Sequence, residues 1–121
     1  MLIVDDNERN RTLARDVLGA AGLRTLEAGT GTAGIALAAE HLPDVILLDL
    51  RLPDMDGTDA AEALGARALT AQIPVVALSA LAMASDDASL LAAGFAGYLE
   101  KPISVALFPD QVRRYCAGAR S

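Results

Sequence analysis

Five polar side chains sit where apolar runs end. MLIV leads into Asp5 and Asp6, DVILL into Asp49, PVVAL into Ser79, and GYLE into Lys101. Three carboxylates, a hydroxyl and an ammonium gathered at one edge would bind a divalent cation and exchange a phosphoryl group. Oxygen donors without His or Cys select a hard ion, with Mg²⁺ first among them. Asp49 is the best nucleophile, because an ionised carboxylate can attack phosphorus and form an acyl phosphate. Phosphoryl transfer depends more on positioning and charge neutralisation than on acid–base chemistry. Lys101 and Ser79 suit the oxygens of the transferring group. Nine of the ten basic residues are arginine and only Lys101 is lysine. A single lysine against that bias points to a need for a compact, flexible ammonium.

Elements that would carry these residues to one edge are legible in the same pattern. Strands are expected at 1–5, 23–28, 44–49, 74–79 and 95–100, all but 23–28 largely apolar as strands covered on both faces must be. Helices are expected at 8–21, 31–41, 57–68, 85–94 and 104–118. In the first, Leu13, Val17, Leu18 and Ala21 are assigned to the inner side. Thr30 suits an N-cap, and Ser85 suits the start of a helix ending at Gly94. Pro109 predicts a kink in the last helix or a late start near that residue. Strict alternation implies an α/β domain over 1–121, a parallel sheet of five strands wrapped by five helices with right-handed crossovers. In the doubly wound order 2-1-3-4-5, strands one and three adjoin at the switch point, where ligands bind beyond the carboxyl ends of the strands.

Composition narrows the partners. A formal charge of −6 on a chain of 121 residues argues against nucleic acid as the direct partner, because neutralising phosphates needs a basic face. No apolar run approaches the roughly 20 residues of a membrane span. The N-terminus has neither the basic nor the apolar region of a signal peptide, so a cytoplasmic protein is expected. Cys116 stands alone, which rules out an intrachain disulfide. The aromatics are few, so the core must be aliphatic and alanine-rich.

LIVDDN at 2–7, DVILLDLRLPDMDG at 44–57, IPVVALSALAM at 73–83 and AGFAGYLEKPIS at 93–104 together resemble the receiver domains of two-component response regulators, CheY-like with a flavodoxin-like topology. The stretch from Ile73 to Phe108 looks most like DivK-type single-domain regulators and like receivers fused to hybrid histidine kinases. The resemblance implies that Asp49 is the phosphoacceptor. It implies that Asp6 and Asp49 ligate Mg²⁺ directly, Arg51 through its backbone carbonyl and Asp5 through water. Ser79 matches the switch hydroxyl, Tyr98 the aromatic that moves with it, and Lys101–Pro102 a cis peptide bond. The implied partners are a histidine kinase or phosphotransfer protein and a downstream protein on the face of helix four, strand five and helix five. Leu81 is apolar where many relatives are polar; with the Arg51 side chain it predicts restricted water access and a long-lived phosphate.

Simpler readings exist for each residue taken alone. Asp5 and Asp6 could cap a helix, Asp49 could end a turn, Ser79 could be a satisfied loop hydroxyl, and Tyr98 could be plain core. His41 reads as an exposed helix-end residue. Asp54-Met55-Asp56-Gly57 resembles the start of a calcium loop, but Gly65 stands where Glu is needed, so a turn into the third helix is expected. An aspartyl-phosphate phosphatase would place a second Asp where Arg51 stands. A flavin carrier would have a neutral phosphate loop in place of DDNERN.

Overall fold

The computed structural model describes residues 1–79, 94–100 and 108–112. Five strands, β1 (Leu2–Val4), β2 (Leu26–Ala28), β3 (Ile46–Asp49), β4 (Val75–Ser79) and β5 (Gly97–Glu100), form one parallel sheet. Its order is β2-β1-β3-β4-β5, the doubly wound order expected for a flavodoxin-like topology. Helices α1 (Glu8–Ala20), α2 (Gly31–His41) and α3 (Gly57–Gly65) connect the first four strands, and residues 108–112 are helical. The expected helix at 85–94 lies outside the described residues except for Gly94. So does most of the helix at 104–118, including the stretch before Phe108 that would show how Pro109 is accommodated.

The strand period of two divides the core into two layers. Leu2, Val4, Ile46, Leu48, Val75 and Ala77 face α2 and α3 and pack with Ile35, Ala38, Ala60 and Leu64. Ile3, Leu47, Val76, Leu78 and Leu99 face the other way, toward Ala14 and Leu18 of α1 and toward Phe108 and Val112. The central strands are thus covered on both sides, which explains why their sequence is apolar without alternation. Gly34 allows α2 to lie close on β1, since a Cβ there would come 2.7 Å from Val4 Cγ2.

Helix ends follow local chemistry. Asn7 caps α1, its side chain accepting from the N–H groups of Arg9 and Asn10. The far end closes with Leu23 N–H on Leu18 O and Gly22 N–H on Gly19 O, a Schellman arrangement with Gly22 at φ 83°. Thr30 caps α2 as expected, with Oγ1 accepting from Ala33 N–H at 3.1 Å.

Several boundaries need correction. Every strand starts later than expected, at Leu2, Leu26, Ile46, Val75 and Gly97, although Met1, Val45, Pro74 and Ala96 already bond to the neighbouring strands. α3 stops at Gly65 rather than 68. The following residues form turns, with Thr70 N–H on Arg67 O and the buried Thr70 hydroxyl on Leu64 O. Leu13 is 40 % exposed and not on the inner side of α1; the buried residues of that helix are Ala14 and Leu18. At 100° per residue the inner stripe therefore centres on 14 and 18, with Val17 beside it.

Leu42 ends α2 in the left-handed region, at φ 47° and ψ 61°, with its N–H on Ala38 O. A side chain in that conformation costs about 1–2 kcal/mol, and this one is 49 % exposed, so it has little packing to lose. Leu42→Gly is expected to stabilise the fold by about 0.5–1 kcal/mol after the entropy of an unfolded glycine is counted. A rise in the urea midpoint checks this; an unchanged or lower midpoint refutes it.

Candidate functional site

Register brings the acidic residues together. Val4 of β1 pairs with Leu48 of β3, so the next residues along the two strands are Asp5 and Asp49. One carboxylate oxygen each from Asp5, Asp6 and Asp49 lies within 4.8 Å of the others. Asp5 is buried, Asp49 half-buried and Asp6 exposed. The site therefore grades from a shielded floor to an open rim.

Backbone N–H groups fix the carboxylates of Asp5 and Asp49. Asp5 N–H continues the ladder onto Ala28 O at 3.0 Å, and Asp5 Oδ1 accepts from Asn7 N–H at 2.9 Å. Asp5 thus orients the turn, while Asn7, not either aspartate, caps the helix. On the other strand, Arg51 N–H donates to Asp49 Oδ1 at 3.2 Å. The loop after β3 closes on itself through Gly57 N–H to Leu50 O at 2.8 Å and an isolated bridge between Arg51 and Asp56. Gly57 is required there, because a Cβ would fall on the Asp49 carbonyl oxygen and 2.7 Å from Leu50 Cα. The turn expected at 54–57 is this closure.

The remaining expected site residues are placed only in part. Asp49 pairs with Leu78, so the Ser79 backbone lies on the adjoining strand one step further toward the same edge. Tyr98 pairs with Ala77 through its backbone. The Ser79 and Tyr98 side chains, Leu81, Lys101 and the Lys101–Pro102 bond lie outside what the structure describes. Glu100 ends β5 opposite Ser79.

The donor set fits a hard cation. Opposing oxygen ligands of Mg²⁺ stand about 4.2 Å apart, the scale of this cluster. Like charges so close favour a cation among them.

A doubly wound parallel sheet with an acidic trio at the ends of its two central strands is an α/β domain equipped to hold such an ion at its switch point. Residues 1–113 match the family model of the response regulator receiver domain, and the chain belongs to that family, the receiver modules of two-component signalling. It is 37 % identical over 119 residues to the polar-differentiation response regulator DivK of Brucella ovis, covering 98 % of this chain and 97 % of that protein. Among solved structures, the receiver domain of a Pseudomonas aeruginosa sensor histidine kinase is 32 % identical with a TM-score of 0.86, covering 96 % of this chain and 95 % of that one. That structure holds a magnesium ion coordinated in its active-site cleft. The chemotaxis response regulator CheY4 of Vibrio cholerae superposes with a TM-score of 0.88 at 25 % identity, over 94 % of this chain and 95 % of that one.

Asp54 has a part in the site that its sequence position does not reveal. It reaches from the loop after β3 to the start of α2. There Oδ1 accepts from Gly31 N–H at 2.8 Å, and Oδ2 accepts from Thr32 N–H at 2.9 Å and Thr32 Oγ1 at 2.6 Å. The Thr32 hydroxyl, then the Thr32 and Gly31 amides, lower its carboxyl from 3.8 to about 2. The positive end of α2 acts in the same direction. The Asp49 loop is therefore tied to the helix that packs on β1. A carboxyl with a lowered folded-state value stabilises the fold fully above its unfolded value and loses that contribution as pH falls through the folded one. The stability difference between wild type and Asp54→Asn should hold constant above pH 3.8 and close as pH approaches about 2. Urea midpoints across that range check it; a gap that stays constant through the range contradicts the assignment.

Proposed function

We propose that the chain accepts a phosphoryl group on Asp49 from a histidine kinase or a histidine phosphotransfer protein, and that the modified domain changes its protein contacts. The observation that carries this reading is the convergence of Asp5, Asp6 and Asp49 within 4.8 Å at the carboxyl edge of the sheet. Family membership and the magnesium in the cleft of the Pseudomonas receiver support it.

An Asp49 carboxylate oxygen forms the new bond to phosphorus. The bond from phosphorus to the donor imidazole nitrogen breaks, and its electron pair returns to that nitrogen. An ionised carboxylate needs no general base for this attack. The Arg51 N–H holds Asp49 in place through the attack. Asp6, Asp49 and the Arg51 carbonyl are the proposed direct ligands of Mg²⁺, with Asp5 acting through water. When bound, the ion supplies neutralisation of the phosphoryl charge. Lys101 is assigned to a phosphoryl oxygen, with the Lys101–Pro102 bond in the cis form directing it, and Ser79 to a further oxygen. Ser79 and Tyr98 then relay the change to the face of the fourth helix, β5 and the last helix, where a downstream protein binds. The domain acts on itself and turns over no external substrate; nucleic acid is not its direct partner. Among the described residues no helix is long and apolar enough to cross a membrane, and the cytoplasm is the proposed site of action.

A second reading, a receiver module of a hybrid histidine kinase, is favoured by the 32 % identity to the Pseudomonas kinase receiver. It uses the same chemistry. An aspartyl-phosphate phosphatase is disfavoured, because exposed Arg51 stands where its second carboxylate would act.

Acetyl phosphate with Mg²⁺ is expected to add one phosphoryl mass to the wild-type chain and none to Asp49→Asn, as read by intact mass spectrometry. Equal labelling of the two proteins, or none of the wild type, would reject Asp49 as the acceptor.

A further inference from the structure

The turn that carries Asp5 and Asp6 is held from behind by Arg11. Arg11 Nη1 donates to the Asp5 carbonyl oxygen at 2.6 Å, and Arg11 Nε lies 3.6 Å from Glu27 Oε1. Glu27 belongs to β2 and also lies 3.4 Å from Arg15 Nη1. The Arg11 side chain is only 20 % exposed. Its guanidinium lies beside Gly29, where a Cβ would come 3.2 Å from Nη1. So the group is bounded by the turn, by β2 and by the chain after β2.

The carbonyl it grips belongs to the peptide that joins Asp5 to Asp6. Fixing that peptide plane fixes the direction in which Asp6 leaves the strand, and hence the angle between the two carboxylates. The bond also sets a positive charge one peptide unit from two anions while engaging the backbone oxygen. A planar fork suits this task, because one nitrogen can bond the carbonyl while another faces Glu27.

We propose that Arg11 is a positioning residue for the cation site, holding Asp5 and Asp6 in their binding arrangement through the Asp5 carbonyl, with Glu27 as its brace. This rests on the reading that those carboxylates hold Mg²⁺. A plain staple between α1 and β2 would affect folding alone, whereas a positioning residue affects the ion as well. Partners of this kind, removed from beside metal ligands, typically weaken metal affinity about 10–100-fold.

The test is calorimetric titration of MgCl₂ into the full chain, with unfolding midpoints taken in metal-free buffer. Arg11→Met is expected to bind Mg²⁺ about tenfold more weakly than wild type, with Arg11→Lys between them. Glu27→Gln should weaken binding by a smaller factor. A lowered midpoint with wild-type Mg²⁺ affinity in Arg11→Met would make Arg11 a staple and overturn the proposal. If Arg11→Met does not fold, Glu27→Gln decides, and unchanged affinity overturns it. If wild type binds no Mg²⁺, or Asp6→Asn binds as tightly as wild type, the site reading itself fails and the role of Arg11 falls with it.

Discussion

Charge repulsion among Asp5, Asp6 and Asp49 is the cost around which this domain is arranged. Unit charges about 4 Å apart oppose one another by about 1 kcal/mol in bulk water and about 4 kcal/mol near a protein surface. The pairing of β1 with β3 imposes that proximity, because Val4 opposite Leu48 leaves the two aspartates as next neighbours. What sustains it is burial behind the rim. Leu2, Ile3, Val4, Ile46, Leu47 and Leu48 are almost wholly removed from water, at about 1.5–3 kcal/mol for each large side chain. A one-residue slip would turn those side chains to the wrong layers. The hydrophobic register and the acidic cluster are therefore one constraint seen from two ends.

Around that constraint the loops are braced rather than loose. Asp5 and Asn7 lock the turn into α1 by side-chain acceptance of backbone N–H groups. Gly57 brings the start of α3 against the backbone of Asp49. Asp54 ties the loop after β3 to α2, and Arg11 ties the loop after β1 to β2. Each brace ends on the backbone or on an edge element, and the Asp5 and Asp49 carboxylates are oriented by backbone N–H groups outside the cluster.

The strands and the acidic edge were legible in the sequence because both follow from apolar runs that end in polar residues, whereas the order of the strands came with the family resemblance. Asp5, Asp6 and Asp49 needed no more than that pattern. Ladder pairing is a property of two strands at once, so strand starts such as Leu26 and Ile46 were not legible from one run. Leu13 misled because an aliphatic residue at near-helical spacing looks like core, while small Ala14 takes the buried position. Asp54 and Arg11 act across 22 and 6 residues of sequence respectively. Only the fold brings Asp54 to Thr32, and Arg11 reads as one more surface arginine. Asn7 was within reach, being a good cap residue directly before a helix, although only the neighbouring carboxylates read as a possible cap.

Because β1 and β3 are walled by helices on both sides, the acidic trio faces outward only at one pole of the sheet. On the proposed phosphoryl transfer to Asp49, the donor would come end-on, along the strand direction. The long flanks of the helices are left outside that approach. Delivery at the tip and recognition along the side can then be altered by separate sets of residues, so such a module could change whom it addresses without rebuilding how it is charged.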